Sequence, residues 1–201
     1  GKIGVDSSGE LNGLLFEPDA FKPAMEKVMD FEKEKMIQIH KDFLSYLASN
    51  GVTAISDMTG DDYSETTTRM YDILHEMENN GELTVRIHGY TRLGTYTDFS
   101  KALELHKRFS SEKVRHNGVK GFIDGVTSTY TGLLLEPYAD RPDTTGIGVP
   151  IYPAEKIKAA VLAANKAGLS VRLHCIADGS VRMALDIFEC SKKMGYVNPS
   201  I

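Results

Sequence analysis

Six residues are of types that hold metals, carry protons or fix substrates, and each falls where an apolar or small-residue run turns polar: Asp57, His88, Lys120, Asp124, His174 and Asp178. Lys120 is the sharpest signal. It interrupts Gly118-Val119-Lys120-Gly121-Phe122-Ile123-Asp124-Gly125, a strand-like run with Lys120 and Phe122 on one face and Val119, Gly121 and Ile123 on the other. A lysine held there costs free energy unless it is paired or neutral. One outcome is an amine of depressed basicity that takes up carbon dioxide as a carbamate, an oxygen-donor anion able to bridge two divalent metals. The other is a side chain whose stem lies in the strand while its ammonium reaches the sheet edge. His174, in Val171-Arg172-Leu173-His174-Cys175-Ile176, is either a neutral imidazole ligand or a core histidine with satisfied hydrogen bonds.

Asp124 either orients a ligand or substrate or, with Gly125, makes the turn that ends its strand. Asp178 is a pocket candidate and equally a cap for the last helix. Asp57 and His88 close two earlier strands and are candidates for the same pocket. His40, His75, His106 and His116 fall on helices or loop edges, where solvation is expected. No zinc-protease helix spacing, phosphate-binding glycine loop, nucleophile elbow or Cys-x-x-Cys occurs, and no two histidines stand two apart. The sequence does not contain a complete catalytic constellation by itself.

These residues need a scaffold, and the pattern supplies one. After an irregular start with a hairpin through Asp6–Gly13, a helix is expected from near Pro23, suited to a first turn, to the Asn50-Gly51 stop. Strands are expected at 52–56, 83–89, 119–123 and 170–176, and helices at 62–79, at 98–109 behind an Asp98 cap, at 154–167 and at 179–194. The segment 127–153 reads as a long loop following a strand, where function concentrates. Strands alternating with helices imply an α/β fold of parallel strands joined by right-handed crossovers. Such a chain of 201 residues reads as one α/β domain, either part of a TIM-type (β/α) barrel or a small doubly wound sheet.

A net charge of −5 without any basic run argues against nucleic acid or an anionic membrane as partner. No apolar run reaches the roughly 18 residues of a membrane helix, and no signal peptide is visible. The two cysteines, Cys175 and Cys190, make no disulfide framework, so a reducing cytoplasmic location is expected. The chain opens on Gly1 and closes on Asn198-Pro199-Ser200-Ile201, and both ends are expected to be cut.

The stretch from Gly118 to Ser128, followed by Leu135-Glu136-Pro137-Tyr138, resembles the YtcJ-like branch of the amidohydrolase superfamily. Val171 to Asp178, Asn12 to Glu17 and Gly51 to Asp57 are similar to further segments of that family, in the family's order and across nearly the whole chain. The resemblance implies a TIM-type barrel of which this chain supplies about strands two to five. It implies hydrolysis of C–N bonds, typically amides of small-molecule substrates, by a metal-activated water, with zinc the expected divalent metal. Lys120 would be the carboxylated bridging lysine and His174 a ligand histidine.

The family's His-x-His would precede Gly1; its further histidine and the aspartate acting as general base would follow Ile201. The segment 127–132 also lacks an arginine that many relatives carry, which leaves the substrate class open. The chain alone is therefore expected to bind metal weakly, to lack activity, and to self-associate through exposed edges. The alternative is a non-catalytic small-molecule-binding α/β domain with Asp57, His88 and Asp124 lining a polar pocket.

Overall fold

A computed structural model describes residues 2–16, 18–28, 31–58 and 65–196. The chain divides into two compact units, residues 1–43 and 44–201. In the first, β1 (Lys2–Val5) and β2 (Leu11–Phe16) pair antiparallel, as the expected hairpin. Its turn is organised by Asp6, whose Oδ1 accepts from the amides of Ser8 (2.8 Å) and Glu10 (3.0 Å).

The single helix expected from Pro23 to Asn50 is instead two, α1 (Pro18–Val28) and α2 (Lys33–Ser49). Pro23 lies inside α1 rather than in its first turn, and there it offers no amide to the carbonyl one turn before it.

The second unit carries β3 (Ala54–Asp57), α3 (Glu65–Asn79), β4 (Arg86–Arg92), α4 (Ser100–Arg108), β5 (Val114–Phe122), α5 (Pro142–Thr145), α6 (Ala154–Lys166), β6 (Ser170–His174) and α7 (Asp178–Lys193). The four strands are parallel and stand in the order β3-β4-β5-β6. Every strand neighbours its sequence neighbour, so the sheet has no order reversal of the kind that defines a doubly wound fold. It is a curled half-barrel sheet alternating with helices.

One face packs on the helices. Leu93, Val119, Ile123 and Val171 meet Phe99 and Ala102, Ile157, Ala160, Val161 and Ala164, and Ala184 and Ile187. Tyr71, Leu74 and Met77 of α3 are fully or nearly fully buried, as are Leu83, Val85 and Val114. The opposite face is polar and cationic: by register it presents Ser56, His88, Arg115, Lys120, Arg172 and His174.

Two features set the register on β5. The ladder shifts between Gly89 and Tyr90, which pair with His116 and Gly118, leaving Asn117 as an extra residue in a β-bulge. Gly118 faces Ser170, whose carbonyl oxygen would lie 1.9 Å from any Cβ placed there. Only glycine lets β5 and β6 approach at that pair.

Candidate functional site

The C-terminal ends of β5 and β6 carry the two strongest candidates to one place. Lys120 pairs with Arg92 and Arg172 in the ladders, and Phe122 pairs with His174. These positions share the face turned away from the helices. The Lys120 ammonium lies 4.1 Å from the centre of the Phe122 ring, and the His174 ring lies 5.0 Å from it. The Phe122 ring therefore contacts both, itself 49% exposed. Lys120 Nζ donates to the Gly121 carbonyl at 3.0 Å. Burial pushes the Lys120 pKa down, with Cys175 opposing. A depressed pKa enlarges the free-amine fraction, the form a carbamate requires.

A second patch lies beside it. Asp124, fully buried, receives amide donations from Leu133 (3.0 Å), Ile176 (3.0 Å) and Ala177 (3.1 Å). Burial alone would raise its pKa, but these hydrogen bonds outweigh it and hold the carboxyl below the usual carboxylate range. Asp178, first residue of α7, accepts from Leu135 N (3.0 Å) and Gly179 N (2.8 Å). Both aspartates are thus engaged in tying the long loop to the end of β6 and the start of α7. Ser180 N closes the same junction by donating to the Leu133 carbonyl at 3.0 Å. Gly179 fits because a Cβ would meet the Leu133 and Leu134 backbone at 2.6–2.7 Å.

The remaining candidates lie elsewhere. His88 is mid-strand, because β4 runs to Arg92 rather than ending at Gly89. The β4 partner of Lys120 is Arg92, about 13 Å further along the strand from His88 at ~3.3 Å per residue. His88 Nδ1 meets Asn117 Nδ2 at 3.3 Å, and burial together with Arg115, Arg172 and Arg86 pushes its pKa down. Asp57 pairs with Gly89, on the face where Tyr71 packs, and its charge adds to the burial that raises the Tyr71 pKa. The polar pocket of Asp57, His88 and Asp124 is therefore not assembled.

His116, expected to be solvated, is fully buried; the β-bulge keeps it on the core face, where its Nε2 meets Thr91 Oγ1 at 3.0 Å. Phe122, read from the sequence as sharing the Lys120 face, and Arg172, on the same face, are site neighbours that were not singled out as candidates. Their signal was the two-residue spacing from Lys120 and His174 within each strand.

The fit of this donor set to a metal is partial. An amine convertible to an oxygen donor and one imidazole stand on one face. Among the described residues no group of three or more His, Cys, Asp or Glu could hold a metal ion. A catalytic zinc usually takes three protein ligands.

Comparison with known proteins gives the chain its place. A curated relative from Arabidopsis thaliana, Protein LONG AFTER FAR-RED 3, is 30% identical over 194 residues, covering 90% of this chain and 31% of that protein. The exoenzymes regulatory protein AepA of Pectobacterium carotovorum subsp. carotovorum is 27% identical over 208 residues, covering 98% of this chain and 40% of its own length. The putative amidohydrolase YtcJ of Bacillus subtilis (strain 168) is 31% identical over 86 residues, covering 43% of this chain and 16% of that protein. The chain thus spans well under half the length of the curated relatives it matches.

Two crystal structures, of uncharacterized metal-dependent hydrolases from Pyrococcus horikoshii OT3 and Pyrococcus furiosus, share the fold. Their TM-scores are 0.68 and 0.65 at 23% and 24% identity, covering 94% and 88% of this chain and 38% and 36% of theirs. The model of the amidohydrolase family matches residues 1–198, and the chain belongs to that family.

Proposed function

We propose that this chain forms part of a metal-dependent hydrolase acting on C–N bonds of small, amide-type substrates, and that by itself it is inactive. The carrying observation is the convergence of Lys120 and His174 on one face of adjacent strand ends, with Phe122 in contact with both. Bound divalent metal, zinc in this reading, would supply Lewis acidity and an acidified water. Lys120 contributes through its lowered basicity: the free amine adds to carbon dioxide, forming an N–C bond, releasing one proton and leaving a carbamate with two oxygen donors. His174 would contribute a ring nitrogen. The Phe122 ring touches both. The loop anchored by Asp124 and Asp178 would help close the substrate pocket. No general base is assigned among these residues.

Elemental analysis after dialysis against metal-free buffer tests the reading. The expected result is near-zero metal per chain and a plain lysine at position 120, because a carbamate without metal reverts to the amine. One or more tightly held zinc ions per chain would mean that a complete site exists, and the claim of inactivity would fall.

In the four-stranded sheet β3 and β6 are both edges, and Phe122 is exposed on the polar face. Open edges and exposed apolar surface favour pairing. The chain is expected to self-associate at micromolar concentration; a single monomeric species in sedimentation velocity would contradict this. Among the described residues no helix is long and apolar enough to cross a membrane. The thiols of Cys175 and Cys190 are free, which supports a reducing, cytoplasmic setting within this proposal.

A further inference from the structure

We infer that Asp124 is a positioning residue: one buried carboxylate fixes both the long loop and the chain immediately after His174, so that loop order and the placement of the His174 imidazole stand or fall together. The relevance of His174 rests on the proposed function; the clasp itself rests on hydrogen bonds alone.

Besides the Ser180 side chain at the start of α7, the three backbone donors to Asp124 come from two distant places. Leu133 lies in the loop, whereas Ile176 and Ala177 follow β6. The preceding residue completes the hub: Ile123 N donates to the His174 carbonyl at 3.0 Å, and Ile123 O accepts from Ile151 N at 2.8 Å. Two consecutive residues therefore hold His174 by its own carbonyl, the residues after Cys175, and the loop at two points.

The residue type is also determined. A carboxylate only accepts, and all three partners donate. An asparagine of the same shape would turn its own N–H groups toward at least one of these donors. Ala177, the N-cap residue of α7, offers no side-chain cap, and Asp124 meets the Ala177 amide just ahead of the first turn. Asp124 forms no ion pair among the described residues, so the buried charge is met by amide dipoles and the start of α7.

The test is NMR on the chain with Asp124→Asn, compared with Asp178→Ala, which releases the Leu135 latch and the Gly179 amide but leaves the Asp124 contacts in place. Asp124→Asn is expected to keep the far-UV circular dichroism while amide exchange at Leu133, Ile176 and Ala177 accelerates about tenfold or more. The His174 ring signals should shift and broaden while those of His116, on the core face, stay in place. Asp178→Ala should loosen the loop to proteolysis and leave the His174 signals unmoved.

Unchanged exchange at the three amides would overturn the clasp. Faster exchange with an unmoved His174 ring would overturn the positioning role and leave a structural one. If Asp124→Asn does not fold, native-state exchange on the unaltered chain decides: the three amides should share one opening rate, and three unrelated rates would refute the inference. Neither readout uses metal or substrate, so it can fail independently of the proposed function.

Discussion

As pH falls from 6.5 toward 4, the folded chain is expected to lose about 3 kcal/mol of stability through His116 alone. Burial, with a smaller contribution from His106, lowers the His116 pKa from its ordinary 6.5 to about 4. The ring is fully buried, and its Nδ1 has no hydrogen-bond partner among the described residues. Protonation in place would leave a charged, unsatisfied donor in the core.

The sign follows from which state binds the proton first. With the folded pKa depressed, the unfolded chain protonates first, so the contribution is complete above 6.5. It declines below that value and is gone once pH passes through about 4. His88, also lowered, adds in the same direction. Urea unfolding at pH 7 and pH 4, for the parent and for His116→Gln, isolates the effect. Glutamine carries its amide out to the level of the Nε2 that meets Thr91 and does not titrate. The parent should lose about 3 kcal/mol more than the variant between the two pH values; equal losses would show that the buried ring is not the linked group.

Gly118→Ala is expected to destabilise the fold by about 3 kcal/mol or more. The new Cβ would stand 1.9 Å from Ser170 O, 2.7 Å from its carbonyl carbon and 2.8 Å from its nitrogen. All three are backbone atoms, so no rotamer change relieves the clash, and β5 and β6 must separate. Gly118↔Ser170 opens the ladder that ends at Phe122↔His174, so the contact between the Phe122 and His174 rings should weaken with it. Gly121→Ala is the control: its Cβ would meet the Leu93 side chain at 2.9 Å, and a flexible side chain can move. Chemical denaturation of both variants checks this. A cost below about 1 kcal/mol at Gly118 would mean that the strands part freely there.

The alternation of Lys120 and Phe122 against Val119, Gly121 and Ile123 was legible because that stretch of β5 is regular. The first half of the strand was not, because the bulge at Asn117 breaks the two-residue period and puts buried His116 in a run of polar residues. β4 read three residues early for a related reason. Leu83 and Val85 are nearly fully buried and apolar, yet they pack before the ladder begins at Arg86. The pairing of Lys120 with His174 needed only strand ends and a parallel sheet. Asp124 was legible as a candidate but not as a clasp, since its partners are backbone amides, which carry no sequence signal.

The amide of Ala177, the residue before α7, is met from 53 residues upstream by Asp124. Within the first turn Gly179 is met by the adjacent Asp178 and Ser180 by the Leu133 carbonyl of the loop, so the helix start is completed only partly by local contacts. An isolated peptide of residues 177–194 should fray at its start, and in the whole chain that turn should become ordered only when β5 and β6 zip together. The late, non-local step would then be shared by the strand pair, the loop closure and the helix start, making them one cooperative folding unit.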